Sequence, residues 1–103
     1  MRGFTVSEAL TRLASEKTDY MRLIEDATYD IGLYKPDGVD PQTPHNRDEL
    51  YIVAAGKGEF ACDGKTRAVA PGDMLIVSAG VAHRFQNFSE DFSTWVVFFG
   101  ARR

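Results

Sequence analysis

The sequence predicts an all-β fold, a closed sandwich or barrel with one short helix ahead of it. Three observations carry this. From Tyr20 onward apolar residues fall into short strand-like runs, several of them alternating with polar ones. Glycine- or proline-bearing turns separate these runs at regular intervals, and no later segment is long enough to be a helix joining parallel strands. About eight strands of this kind in one small chain close on themselves as a sandwich or barrel.

The helix comes first. Thr5 and Glu8 have the spacing of a capping box, and Val6, Ala9, Leu10, Leu13 and Ala14 then recur at helical spacing. A helix over about 5–16 is too short to be stable alone, so its apolar stripe must dock. The barrel is expected over about 19–100. Met21 to Glu25 reads as a strand, and Tyr29, Ile31 and Leu33 alternate with Asp30, Gly32 and Tyr34. Lys35 to Pro44 holds three prolines and reads as a loop, because proline cannot donate to a ladder. Leu50 to Ala55 is the next strand, with Gly56 to Gly58 turning the chain into a strand through Phe60 and Cys62. Asp63-Gly64 suits a type I′ hairpin, with positive φ at both central positions. Thr66 to Ala70 returns, Pro71-Gly72 suits a type II turn, and strands follow at Met74 to Val77 and Ala82 to Phe88. In the last strand, Ser93 to Phe99, Val96 and Phe98 face one way and Trp95, Val97 and Phe99 the other. A strand apolar on both faces is covered on both, here by the helix or by a second subunit, and a homodimer is expected.

The 103 residues are expected to form one domain. An apolar fraction of 44% with 26% charged residues is ordinary for a globular protein. A net charge of −3 argues against a nucleic-acid surface. A single cysteine, Cys62, excludes an intrachain disulfide, and there is neither a leader-like segment nor a run of membrane-spanning length. The expectation is a cytoplasmic protein that contacts neither membrane nor nucleic acid.

Chemistry concentrates at TPHNRDELYIVAAG, residues 43 to 56, which contains His45 and Glu49, and at the other histidine, His83. Two imidazoles and a carboxylate brought together from separate strands make a metal site. Were the first segment continuous strand, Thr43, His45, Arg47, Glu49, Tyr51 and Val53 would share a face, as would His83, Phe85 and Asn87 in the second. Tyr51 and Phe85 would then give the site an apolar wall.

These segments resemble the cupin superfamily, whose first motif is G-X5-H-X-H-X3,4-E-X6-G and whose second is G-X5-P-X-G-X2-H-X3-N. Gly72, Gly80, His83 and Asn87 match the second, with Ser78 at the proline position. His45, Glu49 and Gly56 match the first, but Thr43 stands at its first histidine and Gly38 falls one residue late. The resemblance implies a double-stranded β-helix, or jelly-roll, barrel. It also implies a divalent metal (iron, manganese, nickel or zinc) on His45, Glu49 and His83, with a small molecule bound beside it. Thr43 is a poor ligand, and Gln42 next to it is a candidate fourth through its amide oxygen. Thr43, Arg47, Tyr51 and Phe85 are candidate further metal or ligand contacts. Dioxygenase, isomerase and lyase chemistries occur on this barrel and nothing in the residues selects among them. A metal-free small-molecule-binding or structural barrel is the alternative.

Overall fold

The computed structural model describes residues 1–103. Helix α1 (Val6–Glu16) precedes eight strands: β1 (Tyr20–Glu25), β2 (Tyr29–Tyr34), β3 (Asp48–Ala55), β4 (Gly58–Cys62), β5 (Lys65–Val69), β6 (Met74–Val77), β7 (His83–Gln86) and β8 (Ser93–Phe99). They form two antiparallel sheets, one in the order β1-β2-β8-β3-β6 and one in the order β5-β4-β7. The expected jelly-roll barrel is consistent with this arrangement. No helix is long and apolar enough to cross a membrane.

Local signals act as their chemistry requires. The Thr5 hydroxyl accepts from the Glu8 amide at 3.0 Å and donates to the Glu8 carboxylate at 3.1 Å, so the cap closes through the side chains. The helix ends at Lys17, which turns left-handed at φ 53°. Asp63 and Gly64, at φ 50° and 79°, both take the positive φ of the tight hairpin between β4 and β5. The expected continuity of the first site segment fails: β3 begins only at Asp48, after the loop that carries Gln42 to Arg47. Asn87 also leaves its predicted face. It lies past the end of β7 at φ 49°, exposed, and its side-chain amide donates to Glu59.

The interior is built from both sheets. Tyr51, Val53, Leu75, Val77 and Val96 face Phe60, Phe85 and Val69 across it, and Phe92 closes one end. Phe85 is its centre, with ring centroids 5.0 Å from Tyr51, 4.9 Å from Phe60 and 4.8 Å from Phe92.

Strand β2 is inverted relative to the usual rule. Its apolar residue Leu33 points outward, where it is fully buried beneath Ala9 and Leu13 of the helix. Asp30, Gly32 and Tyr34 face the lumen, paired in register with Phe98, Val96 and Thr94 of β8. The helix therefore covers one end of the outer sheet face, over Leu33 and Trp95. The other end is bare: Ile76 and Met74, in register with Leu50 and Ile52, are 70% and 63% exposed.

Gly32 makes this lumen possible. A methyl group there would lie 2.5 Å from the Met21 carbonyl oxygen and 2.7 Å from the Tyr20 ring, which lies across it. Because the nearest obstacle is backbone, relief requires β1 and β2 to separate. Gly32→Ala is expected to cost about 2 kcal/mol, lowering the thermal midpoint by roughly 10 °C in a calorimetric scan.

Candidate metal centre and ligand cavity

The three motif residues meet although they come from a loop and two strands of different sheets. Ligand atoms of His45, Glu49 and His83 all lie within 4.8 Å of one another. Glu49 Oε1 is 3.0 Å from His83 Nε2 and 3.5 Å from His45 Nε2. Two donors at right angles on a metal with bonds of about 2.1 Å stand about 3 Å apart, so the spacing suits neighbouring ligands.

Each side chain is held by its own constraint. Glu49 is fixed by β3, which pairs with β6 on one side and β8 on the other, and it is only 1% exposed. The Val81 carbonyl accepts from His83 Nδ1 at 2.8 Å, which leaves Nε2 of the neutral ring with its lone pair toward Glu49. His45 is anchored by its backbone, its carbonyl accepting from the Gly80 amide at 2.7 Å, and its ring packs edge-on against Phe98 at 5.2 Å.

Electrostatically the lumen is negative. Asp30, Asp40 and Glu49 are buried, with Arg47 the one buried guanidinium, so these groups sum to −3 + 1 = −2 with His83 neutral. Asp30 is answered by Arg47 at 3.2 Å, and Asp40 by four hydrogen bonds. Glu49 Oε1 is different: it is buried and, while the His83 ring is neutral, accepts no hydrogen bond. A buried carboxylate oxygen without a donor is costly unless a cation faces it. The residues present therefore fit a divalent metal.

The candidate contacts divide. Gln42 turns inward, its Oε1 lying 2.8 Å from His45 Nε2 and accepting from the Tyr51 hydroxyl at 3.0 Å. Tyr51 is in the lumen, its hydroxyl also 3.1 Å from His83 Nε2, and burial followed by the Glu49 charge pushes the phenol far above its ordinary value. Thr43 is exposed, because the chain between Pro41 and Pro44 runs as irregular loop, so strand alternation does not aim it at the barrel. Arg47 is drawn to the barrel end, where it donates to Asp30, to the Thr28 carbonyl and to the Gly100 carbonyl. It makes a structural plug. Phe85 lies in the aromatic core rather than on the cavity wall.

Beside the cluster opens a cavity of about 560 Å³, with Tyr20, Tyr34, Phe98 and Val96 among its walls and Lys17 and Asp19 also bordering it. Tyr20, Tyr34 and Asp40 were not foreseen as site residues. The alternation of Tyr34 with Leu33 carried the signal for Tyr34, since a helix over Leu33 leaves Tyr34 facing in. Asp40 had no signal, as nothing in the sequence separates it from the exposed Asp37 in the same loop.

Comparison with known proteins gives the family. Residues 31–99 match the Cupin domain family. The chain belongs to the cupin family. An uncharacterised protein from Streptomyces coelicolor is 35% identical over 100 residues, which is 95% of each chain. Among solved structures, this cupin is similar to a candidate mannose-6-phosphate isomerase from Ralstonia eutropha, with TM-score 0.71 and 23% identity over 80% of this chain and 83% of that one. A Cupin 2 conserved barrel domain protein from Salinispora arenicola gives TM-score 0.67 and 23% identity over 80% and 75%. At such identities the two structures establish the fold and carry no activity across.

Burial opposes protonation of His83, but the adjacent Glu49 carboxylate, the Val81 carbonyl and Asp40 outweigh it and raise the pKa above its ordinary 6.5. A raised folded value stabilises the protein fully below the unfolded value and is lost as pH rises through the folded one. In metal-free protein, stability measured by urea unfolding should therefore fall as pH rises above the ordinary histidine value of about 6.5. That fall should be smaller in His83→Gln.

Proposed function

We propose that this cupin holds a divalent metal ion between His45, Glu49 and His83 and binds a small molecule in the adjoining cavity. The observation that carries this reading is the buried Glu49 oxygen, left without a hydrogen-bond donor while the two imidazoles whose nitrogens face it at 3.0 and 3.5 Å are neutral. Two histidines and one carboxylate leave coordination positions open for water or ligand. When bound, the metal would supply Lewis-acid or redox chemistry. The chain supplies the rest. Val81 sets the tautomer of His83, and Phe98 and Val96 give the cavity apolar wall. Tyr51, kept neutral by its buried setting, is a phenol that can donate to a ligand atom at the cluster. Whether the bound molecule is turned over depends on its own chemistry, which the fold does not determine.

The test is elemental analysis of protein purified without chelator, followed by reconstitution of metal-free protein. Near-stoichiometric iron, manganese, nickel or zinc is expected in the wild type. His45→Ala and His83→Ala should each lose most of it, since each removes one of three ligands. Retention of full metal content by both variants, or no uptake by the wild type, would point instead to a metal-free binding or structural barrel.

We further propose that a second copy of the chain covers the bare end of the outer sheet face. Ile76, Leu50 and Val97 lie side by side across β6, β3 and β8, as do Met74 and Ile52 in the adjacent row. The helix that covers the opposite end does not reach them. Sedimentation at micromolar concentration should give a dimer. Ile76→Lys should shift it to monomer, and a wild-type monomer would overturn the assignment.

A further inference from the structure

We infer that Gln42 supplies the fourth protein ligand of the metal through its amide oxygen, and that Asp40 is the positioning residue that turns this oxygen inward. The inference rests on the metal reading above and goes beyond its three ligands. Thr43, at the motif position of the missing histidine, is exposed and belongs to a loop rather than a strand, so it offers the lumen nothing. Its neighbour does. Gln42 Oε1 stands 2.8 Å from His45 Nε2, a spacing close to that between His83 and Glu49.

An amide has two ends, and only one of them can ligate. Asp40 decides which. Its carboxylate Oδ2 accepts from Gln42 Nε2 at 2.6 Å and its Oδ1 from the Gln42 backbone amide at 3.3 Å. A carboxylate only accepts, so reversing the amide would set oxygen against oxygen. Asp40 is itself immobilised: it is 4% exposed, with Oδ2 also accepting from the Phe85 amide at 2.8 Å and Oδ1 from the Tyr34 hydroxyl at 2.5 Å. The loop that reads as solvent-facing is thus pinned to β7 and β2, and it presents an oxygen donor at a set position.

The resulting ligand set is two imidazole nitrogens and two oxygens. Exchanging an imidazole for an amide oxygen makes the site harder. Relative to a three-histidine, one-carboxylate site, this favours six-coordinate manganese(II) or iron(II) over zinc(II). The metal class follows from Gln42.

The experiment titrates metal-free wild type, Gln42→Leu, Gln42→Glu and Asp40→Asn with manganese(II) and with zinc(II) by calorimetry. It also measures solvent-proton relaxation of the manganese-loaded proteins. Gln42→Leu should weaken manganese(II) by about tenfold to a hundredfold and zinc(II) by less, with relaxation rising as water takes the vacated position. Gln42→Glu keeps a ligating oxygen but sets its second oxygen against the Asp40 carboxylate, so it should bind manganese(II) more tightly than Gln42→Leu and less tightly than the wild type. Asp40→Asn, which offers Gln42 a donor and frees its amide to reverse, should resemble Gln42→Leu. Because Asp40 also holds the loop, the Gln42 pair decides the matter if Asp40→Asn fails to fold. Wild-type manganese(II) affinity and relaxation in Gln42→Leu, with His45→Ala and His83→Ala still losing metal, would overturn this inference and leave the three-ligand reading standing. A wild type that binds neither ion overturns both.

Discussion

A carboxylate oxygen is buried on a central strand with no donor while the neighbouring imidazoles are neutral, and the architecture around Glu49 is arranged to tolerate that. Removing a charge from water costs several kcal/mol even after relaxation, and β3 cannot swing Glu49 back to solvent because both of its edges are paired. The surroundings answer with groups that can be either neutral or cationic: His45, His83 and, through Gln42 and Tyr51, a ring of dipoles. Elsewhere in the lumen charge is settled internally. Asp30 has Arg47, and Asp40 has four donors. Glu49 alone looks outward from its own network for a partner.

That contrast explains why the buried acids differ in role although they share one lumen. Asp30 and Arg47 tie β2 to the start of β3 and to the chain after β8, so they hold the barrel end closed. Asp40 ties a proline-rich loop to two strands, satisfying the Phe85 amide on the edge of β7 that has no neighbouring strand. A side chain there does the work of a missing ladder bond. The hydrogen bonds that seat the loop also orient Gln42, so loop order and site geometry are one property.

Much of this was legible in the sequence, for reasons that can be located. Turn chemistry is local, so Asp63-Gly64, Pro71-Gly72 and the Thr5 cap read correctly from residue type alone. The gathering of His45, Glu49 and His83 was legible only through motif spacing, since contacts 34 and 38 residues apart (83 − 49 and 83 − 45) have no local signature. Alternation misled where the chain stopped being a strand. Thr43 was placed on the Glu49 face by extending a two-residue period through a segment that is loop until Asp48. Asn87 was lost the same way at the far end of β7, where φ turns positive. Asp40 was invisible because its burial depends on Tyr34, Gln42 and Phe85 together, and no one of them announces it.

The inversion of β2 shows why apolar pattern alone cannot say which face is the inside. Its outward Leu33 is covered by the helix and its inward face carries Asp30, Gly32 and Tyr34, so the strand buries both faces while reading as half polar. Polarity is affordable inside because the aromatic layer of Phe60, Phe85 and Phe92 supplies the apolar burial lower in the barrel. Each such ring contributes several kcal/mol on mutational scales. The lumen is thus divided, with a dry end that stabilises and a polar end that binds. Gly32 lets the Tyr20 ring lie across the polar end as part of its wall. A larger residue there would rebuild the wall at the expense of the sheet, which couples cavity shape directly to the β1–β2 pairing.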